Sequence, residues 1–362
     1  MALYPREDNE QHIAPEQLTS SVAAIFRACG IFETDARTVA GSLVHAGLRG
    51  IHSHGVLRVP DYVKKMTVEG VDPKGQPRVV SETGGAIRID GANPMGQVGG
   101  KFATELAIER ARETGVAFAA VGGSNHCGAM DYYTLPAAEN DMVGLAGTNT
   151  LPTMAPWGGV DKIVGLNPLS LALPGDTVPP IVMDFALGAT AHGKIRVFAQ
   201  KGEPIPEGWA FDVQGRPTTD AEAALYGLFQ PLGAFKGIGL AIIIGLLSTL
   251  FTDAGYGTES GNMVDGAISG VDGQFFMAIN IAAFTEVKAF KERVDKIVAQ
   301  FNNSWLAPDF KEVFVPGALE KRIAERNFTD GIPLNAEMLE GISMSASRLG
   351  VGINLRCKGE TT

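Results

Sequence analysis

Short β-like runs alternate with longer helical runs from about residue 78 to residue 300, and that alternation restricts the chain to an α/β fold. Segments 78–81 and 86–89, parted by Gly84-Gly85, predict a strand pair. A helix over 97–113, a strand over 116–121 and a helix over 129–139 follow. Further strands are expected at 143–147, 169–173, 181–185 and 275–281, with helices at 220–226, 238–251 and 284–300. The apolar run 238–251 is too short to cross a bilayer and reads as a buried helix. Both ends read as helical. Residues 15–29 form one helix closed by Gly30, a second is capped by Thr34 or Asp35 and stopped by Gly50, and a third follows from Val56. After Pro308 come helices at 318–327 and 335–349. The expected division is a helical domain from 1–76 with 308–362 around an α/β domain over 77–307.

Chemistry concentrates first in Arg49-Gly50-Ile51-His52-Ser53-His54-Gly55-Val56-Leu57-Arg58, where one helix ends and another begins. A helix from Val56 would set His54, Arg58 and Tyr62 near one face. An imidazole there can protonate a developing alkoxide, and a guanidinium can grip a carboxylate through two parallel hydrogen bonds. Ser53 could orient the ring. The plain structural alternative makes His52 and Ser53 cap residues and Arg58 an exposed charge. A metal site from His52 and His54 lacks further ligands.

Two glycine turns suit anions. Gly122-Gly123-Ser124-Asn125-His126-Cys127-Gly128-Ala129-Met130 lies between a predicted strand and a predicted helix, so its amides can meet phosphate, although a tight connection explains it equally well. Gly233-Ala234-Phe235-Lys236-Gly237 places a lysine at a helix start. Neither GxxxxGK[ST] nor GxGxxG after a strand occurs, so residue chemistry alone yields an anion-handling enzyme with an unnamed cofactor. A net charge of -10 argues against a nucleic-acid partner. The scattered cysteines Cys29, Cys127 and Cys357 support neither a disulfide framework nor a zinc knuckle, and the start has no apolar signal segment, so the cytoplasm is expected.

As an ordered set, the motifs resemble the malate/L-lactate dehydrogenase family. The carriers are Leu48-Arg49-Gly50, Ser53-His54-Gly55 through Pro60, Ser124-Asn125-His126, Gly147-Thr148-Asn149, Ala155-Pro156-Trp157-Gly158-Gly159, Asn167-Pro168, Met183-Asp184-Phe185-Ala186, Gly193-Lys194-Ile195, Lys236-Gly237 and Gly331-Ile332-Pro333-Leu334. The resemblance implies a non-Rossmann nicotinamide-binding mixed sheet, NAD or NADP, a homodimer, and hydride exchange with a small 2-oxo or 2-hydroxy acid. Reduction of a cyclic imino acid is the alternative; further from the family lies a non-catalytic carboxylate or nucleotide binder. It further implies His54 as proton donor, Ser53 as its partner and Arg58 as carboxylate clamp, with His192 and Gly193 at the substrate. His126, Cys127, Gly128, Ala129, Met130, Thr150, Asp184, Phe185, Ala186 and Lys236 would line the cofactor, completed near Val315-Pro316-Gly317. Relatives often carry an acid where this chain has Gly47, and threonine where it has Leu166, so a charge near His54 and a polar substrate contact are expected to be missing. Ala318 likewise replaces a common acid, while Lys194 favours a keto acid over an imine.

Overall fold

The computed structural model describes residues 10–190, 192–260 and 269–357, without the side chains of His192, Gly193, Val197 and Gln200. Strand β1 (Gln11–Ile13) leads into helices α1 (Pro15–Ala28) and α2 (Glu33–Leu48). In α1, Pro15 sits at the tolerant first position, and Leu18, Val22, Ile25 and Phe26 are spaced to share one buried face. Helix α2 begins at Glu33, ahead of both proposed caps. Phe32 holds the cap position without a side-chain bond, so Thr34 and Asp35 lie inside the first turn. The third helix also departs from expectation. Two single 3-10 turns, His52–His54 and Val56–Arg58, precede α3 (Val59–Thr67), so His54, Arg58 and Tyr62 do not share one α-helical face.

Next come β2 (Arg78–Thr83), β3 (Ala86–Asp90), α4 (Gly96–Thr114), β4 (Val116–Ser124), α5 (Asp131–Glu139) and β5 (Met142–Thr148). A small pair, β6 (Pro152–Met154) with β7 (Val164–Gly165), precedes β8 (Leu169–Leu173), β9 (Ile181–Phe185) and α6 (His192–Lys201). Beyond them lie β10 (Ala210–Phe211), β11 (Pro217–Thr218), α7 (Ala221–Tyr226), β12 (Leu228–Phe229), α8 (Phe235–Thr249), β13 (Asp272–Asn280) and α9 (Val287–Asn302). The chain then returns to α10 (Ala318–Asp330), β14 (Ile332–Leu334) and α11 (Ala336–Arg348).

Seven strands form one mixed sheet in the order β2-β3-β4-β13-β5-β8-β9. Only β3 and β4 pair in parallel. Because β13 is antiparallel to both β4 and β5, those two strands point the same way, and β9 joins them through β8. The carboxyl ends of β3, β4, β5 and β9 therefore share one edge. Side chains on β13 alternate between two cores: Phe276 joins the layer under α4 and α5, while Phe275 joins the layer under α8. Each buried phenyl contributes about 1.5–3 kcal/mol. Gly100 permits this packing, since a Cβ there would lie 2.6 Å from Tyr133 Cε1 and 3.0 Å from Phe276 Cζ.

A third core gathers α1, α2, α3 and α11, with Met95 and Val98 from the start of α4. Pairing of β1 with β14, Gln11 opposite Leu334 and Ile13 opposite Ile332, ties the two ends of the chain together. The fold is thus a mixed α/β sheet joined to a helical region built from N- and C-terminal helices, as the motif pattern implied. The expectation for 238–251 needs correction. Helix α8 buries Ile238, Ala241 and Ile244, but Leu240 is 40% exposed and Ile243 54% exposed. No helix among the described residues is long and apolar enough to cross a membrane.

Candidate active site

The shared carboxyl edge collects the segments singled out by sequence. Ligands in open α/β sheets characteristically meet such edges, where loops leave the strands and helix amino ends converge. The loop after β4 carries His126, Cys127, Gly128, Ala129 and Met130, and the ends of β5 and β9 lead to Thr150 and to Asp184, Phe185 and Ala186. From the helical region, the 3-10 turns deliver Ser53, His54 and Arg58 to the same place. The His54 and His126 rings stack at 5.7 Å between centroids, 19° from parallel.

Each group is held from behind. Ser53 Oγ lies 3.0 Å from His54 Nδ1. Arg58 Nε donates to the Ser53 carbonyl oxygen at 2.7 Å, and its Nη1 donates to Asp61 Oδ2 at 3.0 Å. These bonds use two of the five guanidinium N–H groups. Tyr62 Oη lies 2.7 Å from His126 Nδ1. Desolvation and the Arg58 charge push His54 down to about 4, with Asp131 opposing, so its ring is neutral at pH 7. His126 lies well below the usual imidazole range for the same first reason, with His54, Arg58 and Lys65 adding to it.

Asp131 was not singled out by sequence, yet it anchors the site. It is 1% exposed, sits 2.5 Å from Arg49 Nε and 3.1 Å from His45 Nε2, and joins α5 to α2. Its backbone N–H donates to Asp184 Oδ2 at 2.8 Å, fixing the end of β9 against the start of α5. Burial and the neighbouring Asp131 charge push the Asp184 carboxyl upward, whereas His45 and Arg49 hold Asp131 down. The readable signal was an acid in the first turn of a helix; its basic partners lie 86 and 82 residues earlier in the chain.

Other expectations sort differently. Cys127 is 2% exposed, with its thiol packed in the core under α4 and α5 and pushed up to about 12 by burial. Gly128 sits at φ +81, a backbone conformation that favours glycine, beside the Gln97 amide. Thr150 is bound to Asn167: its N–H donates to Oδ1 at 2.9 Å, and Asn167 Nδ2 donates to Ala241 of α8 at 2.8 Å. Lys236 occupies the exposed first turn of α8. Among the described residues, no hydrogen bond or ion pair links Thr150 or Lys236 to His54. The side chains of His192 and Gly193 lie outside the described residues. Gly47 does not open a gap beside His54, because a Cβ there would point at Ile332 Cγ2, 3.3 Å away. Leu166 does form an apolar corner, packing against Gly188 within the core beneath α8.

The malate/L-lactate dehydrogenase family model matches residues 13–343. The chain belongs to this family. It is 36% identical to a malate dehydrogenase of Pyrococcus abyssi, covering 95% of this chain and 97% of that protein. It is also 36% identical to an L-sulfolactate dehydrogenase of Methanocaldococcus jannaschii, over 94% of this chain and 98% of that one. The solved sulfolactate dehydrogenase from that organism superposes with a TM-score of 0.89 at 35% identity, covering 94% of this chain and 98% of that chain. The chain is therefore an NAD(P)-dependent oxidoreductase that exchanges hydride with a small 2-hydroxy or 2-oxo acid.

The residues at the edge suit a nicotinamide. The stacked neutral imidazoles of His54 and His126 offer a face for a flat ring, and Asp184, held at the start of α5 by the Asp131 N–H, offers a polar group at the same edge. The dinucleotide, when bound, supplies or accepts the hydride.

Proposed function

We propose that the enzyme interconverts a 2-oxo acid of the malate or sulfolactate type with its 2-hydroxy acid, His54 carrying the proton and Arg58 holding the substrate carboxylate. The observation behind this reading is the pairing of a neutral imidazole, tethered at Nδ1 by Ser53, with a guanidinium braced by the Ser53 carbonyl and Asp61. In reduction, His54 gives its proton to the carbonyl oxygen as negative charge develops there; in oxidation it removes the hydroxyl proton. A substrate carboxylate on Arg58 offsets the positive charge that depresses His54, so substrate binding itself raises the basicity of the acid. His192 and Gly193 complete the substrate side, and His126 to Met130, Thr150, Asp184 to Ala186 and Lys236 line the cofactor.

A panel pairing NADH and NADPH with oxaloacetate, 3-sulfopyruvate, pyruvate and a cyclic imino acid tests this reading by loss of the reduced-cofactor absorbance. Oxidation with oxaloacetate or 3-sulfopyruvate supports it; activity confined to the imine overturns it. Arg58→Met is expected to raise KM for the oxo acid roughly tenfold to a hundredfold, the equivalent of about 1.5–3 kcal/mol for a charge-assisted hydrogen bond, with cofactor affinity unchanged. Steady-state kinetics and cofactor titration check it, and an equal loss of cofactor affinity contradicts the assignment.

The same proposal includes a helical unit over 1–76 with 308–362, an α/β unit over 77–307, a cytoplasmic location and a homodimer. Three free cysteines fit a reducing compartment. Leu240 and Ile243 on α8, with Leu250 and Phe251 just past its end, make an exposed apolar patch of the kind that a second copy covers. Light scattering on the purified chain reads the mass; a monomer rejects the dimer.

A further inference from the structure

The hydrogen bonds behind His126 have a direction. Gln97 Nε2 donates to Tyr62 Oη at 2.9 Å, and Tyr62 Oη lies 2.7 Å from His126 Nδ1. Gln97 and Tyr62 are both fully buried, at 0% exposure, so water does not substitute for either partner. A phenol owns one hydrogen. With Gln97 donating into the oxygen, that hydrogen is directed to His126 Nδ1, which must then be the bare acceptor of the ring. The imidazole proton of neutral His126 is left on Nε2.

We propose that Tyr62 and Gln97 are positioning residues that lock His126 in its Nε2–H form, giving the site a fixed neutral donor next to the titrating His54. The inference rests on the function proposed above and adds a division of labour between two stacked imidazoles. His54 has a hydroxyl at Nδ1 that can either donate or accept, since Ser53 Oγ carries both a hydrogen and lone pairs. It can therefore change protonation state during a cycle. His126 meets a hydroxyl already committed by Gln97, so its tautomer is set and it contributes a hydrogen bond without exchanging a proton. The charged and titratable groups acting on His126 are His54, Arg58 and Lys65, all of which disfavour a second proton on its ring. Gly128 lies against the Gln97 amide, and its φ of +81 is what favours glycine there. Gln97 itself is fixed at the first turn of α4, and Tyr62 on α3, so the relay also sets the register between the helical region and the sheet.

Nitrogen NMR of the full-length enzyme labelled with 15N-histidine tests the relay without a substitution, the His126 signals being those lost in His126→Gln. The expected result is a protonated Nε2 and a bare Nδ1, unchanged between about pH 6 and pH 8, where an ordinary histidine titrates. In Tyr62→Phe, a mixture of both tautomers is expected, with kcat reduced about fivefold, the factor equivalent to one lost hydrogen bond. KM for the oxo acid and the pH at which His54 titrates are expected to hold, which a general loosening of the fold would not permit. A proton on Nδ1 in the unsubstituted enzyme overturns the proposal, because it means that Tyr62 donates to Gln97 instead. Unchanged kcat together with an unchanged tautomer in Tyr62→Phe also overturns it. The tautomer is read whichever acid proves to be the substrate, so failure here is separable from failure of the functional reading.

Discussion

Replacing His54 by Asn is expected to lower turnover in either direction by about 10²–10⁴-fold, the contribution typical of a positioned general acid or base. Cofactor affinity and melting temperature should stay close to those of the unsubstituted enzyme, because the 3-10 turn is held by backbone bonds. The pH dependence carries the assignment further. In the free enzyme His54 is depressed to about 4, so it is already a base at neutral pH. Oxidation of the hydroxy acid needs that base, and its kcat/KM should stay level as pH falls from neutrality until about pH 4, then decline. Reduction needs the protonated ring. Carboxylate pairing with Arg58 removes one cause of the depression, so kcat for reduction should fall with rising pH around a value above that of the free enzyme. Stopped-flow and steady-state profiles check both limbs, and both should vanish in His54→Asn. An unchanged turnover in the variant would remove His54 from the chemistry.

The parts of this site visible in sequence are those carried by neighbours along the chain. Ser53 next to His54, and Arg58 four residues on, placed an acid and a clamp together before any fold was known. Strands β8 and β9 were readable to the residue, β8 because its burial alternates through a packed sheet and β9 because it carries a short apolar run bounded by proline and polar residues. Long-range partners left no such mark. Gln97 and Tyr62 are 35 residues apart, and His126 is 64 from Tyr62, so no periodicity links them. The Val56 helix was misjudged because the first residues of 3-10 and α turns have the same local pattern and differ only in which carbonyl accepts. Helix α8 was misjudged for another reason. An all-round apolar helix normally predicts burial, but here one face is exposed, which composition does not distinguish from core. Three-residue strands β1 and β14 are too short to display a period at all.

Arg49→Met is expected to cost about 3–5 kcal/mol of stability, since it strands a buried carboxylate. Arg49 is 6% exposed and Asp131 1%, and they meet at 2.5 Å, so neither charge has water in reserve. Removing the arginine leaves Asp131 with His45 alone, facing the partly protonated Asp184 whose Oδ2 it helps to hold. At roughly 2–4 °C per kcal/mol for a chain above 150 residues, the melting temperature should fall on the order of 10 °C. Asp131→Asn should be costly as well, because it leaves the buried Arg49 guanidinium without its counter-charge, although the backbone N–H to Asp184 stays in place. The sign of the pH effect follows from Asp131 being held below the usual carboxylate range. A depressed acid contributes stability above its unfolded pKa and loses it as pH falls through the folded value. Arg49→Met deletes part of that contribution, so its deficit against the unsubstituted enzyme should be largest near neutral pH and shrink on acidification as Asp131 becomes neutral. Calorimetric melting across pH measures this directly. Equal melting temperatures, or a deficit that grows on acidification, would mean that the pair contributes nothing to the fold. The pair gives the Leu48-Arg49-Gly50 motif a physical role: its arginine neutralises the buried acid that ties α5 to α2 and to Asp184 at the end of β9.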